Sequence, residues 1–156
     1  MKNQYFILRH GESLKNIKGF ESCWPEKTRV SLTKKGKKQI KEAARKAKSR
    51  KINLIFTSDI LRTRQTAEII GMELGIKPKL DKRLREIDIG IFNGQPVKEF
   101  GKFWDDGDFL PPLKYYSKRF EVPAPKGENY QDVEKRLDGF LKELEKKIQR
   151  KEYYYC

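Results

Sequence analysis

The sequence predicts an α/β fold: a largely parallel sheet with helices on both faces. Three observations predict it. Short apolar runs of strand length alternate with longer stretches of helical period. The first run, Tyr5-Phe6-Ile7-Leu8, is continuous rather than alternating, as expected of a strand buried on both faces. It ends abruptly in Arg9-His10-Gly11-Glu12, which puts a cation, an imidazole and a glycine where open α/β sheets hold their ligands.

The elements follow in order. Residues 4 to 9 form the first strand. Residues 11 to 31 form a loop with Gly19, Pro25 and several polar residues, long enough to be functional. Thr33 caps a helix running to about residue 50, with Ile40, Ala43, Ala44 and Ala47 on one face. Asn53-Leu54-Ile55-Phe56-Thr57 is the second strand. Ser58 or Asp59 caps the next helix, whose apolar positions are Leu61, Ala67, Ile70 and Leu74; Gly75 stops it and Pro78 follows. A short strand from Lys79 to Leu84 leads to Glu86. Residues 87 to about 128 are rich in Gly, Pro and aromatics and read as an excursion over the site, with a short helix from Pro96 to Trp104. Its aromatics include Phe100, Phe103, Trp104, Tyr115 and Tyr116, most of them packing it onto the body. The last helix spans about Tyr130 to Lys151, with Val133, Leu137, Phe140, Leu141, Leu144 and Ile148 along one face.

Composition bounds the class. The chain has 156 residues, enough for one domain with a real core, and 37% of them are charged. No stretch is long enough to span a bilayer, and no signal-peptide pattern opens the sequence. The expected location is therefore the cytoplasm, with Cys23 and Cys156 as free thiols. The formal net charge is +14. Lys34, Lys35, Lys37, Lys38, Lys41, Lys46, Lys48 and Lys51 contribute to it, mostly from the solvated side of one helix. This reads as a solvated surface, or as one that steers anionic substrates, rather than a nucleic-acid interface, for which no motif is present.

Four motifs stand in a fixed order. They are Arg9-His10-Gly11-Glu12-Ser13 with Asn16, then Leu32-Thr33-Lys34-Lys35-Gly36, then Ser58 to Ala67 around Leu61-Arg62, then Leu84-Arg85-Glu86 to Gly94. A weaker fifth is Gly127-Glu128-Asn129. Together they resemble the histidine phosphatase superfamily, the phosphoglycerate mutase-like proteins, over nearly all of the chain. The resemblance implies a three-layer sandwich with a mostly parallel central sheet flanked by helices. It implies one domain over residues 1–156, with residues 87–128 as the active-site excursion.

The chemistry of the residues agrees with what the resemblance implies. A neutral imidazole can attack phosphorus and hold the group covalently, and His10 is the only histidine in the chain. Arg9 and Arg62 suit a phosphate clamp, because guanidinium donors match phosphate oxygens. Asn16 can donate to a further oxygen. Glu86 stands where the family places its general acid and base. Glu12 and Ser13 read as braces of the loop, and Arg64 as structural. One histidine and scattered carboxylates make no metal cluster, so neither metal nor other cofactor is expected.

One departure matters. The family carries a second catalytic histidine at the end of a late strand, and this sequence contains none. The final residues, Lys151 to Cys156, read as the opening of that strand, so the expectation is a chain that stops short of it. The alternative is a complete, diverged chain.

Three functions stay open. The first is phosphomonoester hydrolysis through phosphohistidine, on a small phosphorylated metabolite or a phosphoprotein. The second is phosphoglycerate mutase-type transfer. The third is an inactive phosphate-binding relic. The segment around Glu86 is closer to the phosphatase branches than to the mutases. The sequence leaves the substrate and the oligomeric state undetermined.

Overall fold

The computed structural model describes residues 3–104 and 112–152. It is an α/β chain with, among the described residues, six α-helices and a small parallel pair of strands packed against α3. The order is α1 (Leu14–Lys18), α2 (Lys34–Ala47), β1 (Phe56–Thr57), α3 (Leu61–Leu74), β2 (Lys79–Leu80), α4 (Val97–Trp104), α5 (Pro112–Glu121) and α6 (Tyr130–Glu152). Two 3-10 turns, Lys82–Leu84 and Gly90–Phe92, lie between β2 and α4. None of the described helices is long and apolar enough to cross a membrane.

The helices lie close to where their periodicity puts them. Thr33 caps α2 by accepting from the Gly36 amide at 2.9 Å. Ile40 and Ala44 are buried beneath it while its lysines stay exposed. Helix α2 packs along α3. Helix α3 ends at Gly75, whose φ of 70° is the left-handed conformation that favours glycine there. Phe140 and Leu144 of α6 are buried, and the Phe140 ring meets Phe56 of β1 edge-on at 5.3 Å.

The strands are shorter than expected. Phe56 pairs with Lys79 and Thr57 with Leu80 in parallel register. The Lys79 amide donating to Ile55 O and the Asp81 amide donating to Thr57 O complete the ladder. The rest of the expected 79–84 strand winds into a 3-10 turn, because the Asp81 side chain accepts from the Arg83 amide and caps that turn.

The larger correction concerns residues 4 to 9. They are neither a sheet strand nor buried: Ile7 is 98% exposed, and Phe6 and Leu8 are about half exposed. A continuous apolar run signals that both faces call for cover. The run has no ladder partner among the described residues. Tyr5 still ties the segment to α6 by donating to Glu145 at 2.6 Å.

The 87–128 excursion holds two helices rather than one. Phe100 and Trp104 of α4 pack with Cys23, Ile87, Ile89 and Ala124 in a buried cluster edged by Phe92. The buried Arg119 guanidinium of α5 lies 5.0 Å from the Phe100 ring and 5.5 Å from that of Trp104. The ends of the excursion interlock. The Ile91 amide donates to Pro125 O and the Glu128 amide to Asp88 O. A Cβ on Gly90 would sit 2.0 Å from Pro125 O, and one on Gly127 would sit 2.4 Å from Asp88 O. Only glycine permits that approach. Expectations for the side chains of Tyr115, Tyr116 and Ile148, and for residues 153–156 including Cys156, lie outside those described.

Candidate active site

The site begins with the turn that follows the extended segment. His10 is half-buried, and its Nδ1 lies 2.8 Å from Gly11 O. A carbonyl only accepts, so Nδ1 carries the hydrogen and donates, which leaves the Nε2 lone pair available. Burial is the main force lowering the His10 pKa below 6.5; Arg62, Arg9 and Lys15 add to it, against the Gly11 hydrogen bond. The ring is therefore neutral over a wider pH range than an ordinary histidine.

The segment is stitched to two helices. Thr33 N donates to Glu12 O at 2.9 Å, Thr33 Oγ1 to Glu12 Oε1 at 2.7 Å, and Glu12 N to Gln39 Oε1 at 3.0 Å. Gly11 and Gly36 make the approach possible. A Cβ on Gly36 would sit 2.0 Å from Glu12 O, and one on Gly11 would sit 2.5 Å from Gly36 O. On the other side, Gly11 N reaches Thr66 Oγ1 at 3.4 Å, and that hydroxyl donates to Arg62 O at 2.8 Å. This chain of contacts places the start of α3, and with it Arg62, in register with His10.

Arg62 is fully buried. Its Nη2 donates to Ser22 O at 3.0 Å, while Nε and Nη1 make no hydrogen bond among the described residues. Two carboxylates balance its charge from beyond hydrogen-bond range: Glu26 Oε1 lies 3.6 Å from Nη1 and Glu86 Oε2 lies 3.8 Å from Nη2. Burial presses the guanidinium's pKa below the ordinary arginine value, and Glu86 and Glu26 pull it back.

The structure thus brings His10, Arg62 and Glu86 into one neighbourhood, with Arg9 exposed beside His10. The Glu86 side chain is 46% exposed and lines an open cleft of about 250 Å³ with Trp24, Arg85 and Asp88. The Asn16 Oδ1 accepts from both the amide and the hydroxyl of Ser13, at 2.9 and 2.8 Å, which closes the N-terminus of α1. That turn uses the acceptor and leaves the Nδ2 donor outside the contact.

Two residues with a clear place here were not singled out from the sequence. Lys15 acts on His10 electrostatically and pairs with Glu21 at 3.0 Å. Glu26 replaces the expected cap of α3. Ile60 stands at the N-cap and offers no side chain, because Ser58 Oγ is bonded to Thr63 Oγ1 and Asp59 is engaged by Arg85. The Leu61 amide donates instead to Glu26 Oε2 at 3.0 Å. The basic residues of the loop are a signal for a paired Glu21, whereas the partners of Glu26 lie on α3 and leave no signal in the loop itself.

Comparison with known proteins places this geometry in context. Residues 5–155 match the family model described as histidine phosphatase superfamily (branch 1). A probable phosphoglycerate mutase of Cronobacter sakazakii is 33% identical over 138 residues, 88% of this chain and 61% of the relative. A 2,3-bisphosphoglycerate-dependent phosphoglycerate mutase of Nitrobacter winogradskyi is 31% identical over 144 residues, 88% of this chain and 66% of the relative. The chain therefore spans just under two thirds of the length of these relatives. Among solved structures, the mycobacterial glucosyl-3-phosphoglycerate phosphatase in complex with VO3 aligns with a TM-score of 0.70 at 25% identity. That alignment covers 86% of this chain and 61% of the phosphatase.

Proposed function

The chain belongs to the histidine phosphatase superfamily, and from that premise we propose that it hydrolyses phosphomonoesters through a phosphohistidine on His10. One observation carries the reading. A fully buried arginine keeps donors free of hydrogen bonds and acts on a neutral imidazole whose Nε2 lone pair is available. Arg85, by contrast, is closed onto Asp59 at 2.7 and 2.5 Å.

The steps follow from the atoms. Arg62 and Arg9 hold the phosphoryl oxygens, and the negative charge spread over those oxygens in the transition state strengthens the hold. Nε2 of His10 forms a bond to phosphorus as the ester P–O bond breaks. Glu86, entering this step as the protonated acid, gives its proton to the leaving oxygen. A water then attacks the phosphohistidine, gives its proton to Glu86 and releases inorganic phosphate and neutral His10. Asn16, held in the Ser13 turn through Oδ1, donates from Nδ2 to a further phosphoryl oxygen. The substrate class is a small phosphorylated metabolite or a phosphoprotein.

The test is His10→Ala, assayed on p-nitrophenyl phosphate and for an acid-labile, base-stable phosphoryl adduct. Both turnover and adduct are expected to disappear; a variant that keeps most of its activity would overturn the assignment. A second reading, phosphoglycerate mutase, draws support from the relatives that bear that name. Offered 3-phosphoglycerate, a mutase yields the 2-isomer and a phosphatase yields inorganic phosphate.

A further inference from the structure

We propose that Glu26 is a positioning residue for Arg62: an internal counter-anion against which the substrate's phosphoryl group must compete. The proposal rests on the reading of Arg62 as the phosphate clamp. Neither the sequence motifs nor the family match assigns this residue a part.

A buried cation needs a partner, and the form of the partnership is informative. Two arginines near the site close their pairs. Arg85 and Arg83 each grip an aspartate with two nitrogens, at 2.5 to 2.9 Å. Arg62 is more deeply buried than either, yet Glu26 Oε1 stands off at 3.6 Å. Neither Oε1 nor the facing Nη1 makes a hydrogen bond among the described residues. The charge is balanced and the donors are left uncommitted.

Glu26 is held at that distance. Its other oxygen, Oε2, accepts the Leu61 amide at 3.0 Å, so the carboxylate is tied to the first turn of α3, one residue before Arg62. The Glu26 side chain is 14% exposed. On the far side, Ser22 O takes Nη2 at 3.0 Å, so the same loop grips the guanidinium from both ends. The loop thus sets the orientation of the group as well as its charge. The cost falls on ground-state binding, because an incoming phosphate meets a fixed negative charge on the group it needs.

The experiment is Glu26→Gln, which keeps the acceptor for the Leu61 amide and removes the charge. Inorganic phosphate is the probe, read as its inhibition constant against p-nitrophenyl phosphate. Removing one unit charge roughly 6 Å away, at an effective dielectric near ~40, tightens phosphate about tenfold. KM should fall with it. Because the guanidinium is less firmly oriented, kcat should fall too, a split that the loss of a purely structural contact does not produce. Glu26→Asp, which keeps the charge but withdraws it, should shift phosphate affinity in the same direction by less. In an Arg62→Ala background, Glu26→Gln should tighten phosphate by less, because only direct repulsion between the two anions then remains. Unchanged phosphate inhibition and kinetics in Glu26→Gln, with Arg62→Ala still weakening phosphate, would make Glu26 a helix cap only. If Arg62→Ala leaves phosphate inhibition intact, the clamp reading falls, and this proposal with it.

Discussion

Gly36→Ala tests how the catalytic turn is positioned, because two effects of opposite sign meet there. Gly36 lies in the first turn of α2, an ordinary helical position. Helix propensity alone would make alanine the better residue by about 1 kcal/mol. Packing opposes it. The new Cβ would sit 2.0 Å from Glu12 O, 2.7 Å from Glu12 N and 2.8 Å from Glu12 C. Ordinary contact begins at 3.4 Å, so the two backbones must part by roughly 1.4 Å. Neither can yield cheaply, since each is tied to the other by Thr33 and Gln39. Overpacking of this kind costs about 1–3 kcal/mol, and a clash of backbone against backbone belongs at the upper end. The net expectation is a destabilisation of about 1–2 kcal/mol, a Tm lower by roughly 2–8 °C in a domain of this size. Glu12 is two residues from His10, so the imidazole is displaced as well. A misplacement near 1 Å costs about a hundredfold in rate. Circular dichroism melting and p-nitrophenyl phosphate turnover read the two effects. A variant that melts higher and turns over normally would refute the reasoning, since propensity would then have outweighed the contact.

Three further outcomes follow. His10 has a pKa below its unfolded value, so the folded state binds fewer protons than the unfolded one as the pH drops below 6.5. Its stabilising contribution is full above that pH and is lost as the pH falls toward the folded pKa. The acid limb of kcat/KM should therefore lie below pH 6.5, and Lys15→Met should move it upward; a limb that rests at 6.5 in both would discount the local field. Arg62→Lys should recover only part of the phosphate affinity lost in Arg62→Ala, because an ammonium cannot reproduce a planar set of donors; full recovery would argue against guanidinium clamping. The Cys23 thiol is buried, and desolvation pushes its pKa up to about 11. Peptide mapping after iodoacetamide treatment at pH 8 should find Cys23 unmodified until denaturant is added; rapid native labelling would mean that the cluster around Trp104 opens readily.

What could be read from the sequence and what could not divide along a physical line. His10 is legible from a local pattern of apolar run, glycine and charge, and Arg62 and Glu86 from motifs shared with the family; the structure sets Glu86 3.8 Å from Arg62. The spans of α2, α3 and α6 follow from periodicity that the chain carries within itself. Glu26 was hidden because its function arises from closure of a loop onto a helix start 35 residues away. The cap of α3 was misassigned for a related reason. Ser58 and Asp59 are good caps by composition, but tertiary partners, Thr63 and Arg85, claimed both. Residues 4 to 9 show the converse. Continuity of apolar residues states a demand for burial and says nothing of what meets it, and Ile7 stands exposed.

The interlock of Gly90 with Gly127 has a consequence for how such a site can be altered. It clips residues 91 to 124 at a narrow neck, with backbone hydrogen bonds at both ends and Glu86 on the body side of the clip. The entropy of closing a loop grows only slowly with its length. The first residues past the neck are fixed as well: Gly94 N donates to Glu21 O, Glu21 N to Gln95 O and Val97 N to Gly19 O, which joins them to the loop that holds Arg62. Residues past Val97 are therefore the part that can be exchanged at small expense, provided the replacement brings its own apolar plug in place of Phe100 and Trp104. On the proposed reading, new leaving groups would be selected by redesigning that handle while the ties around Arg62 are kept.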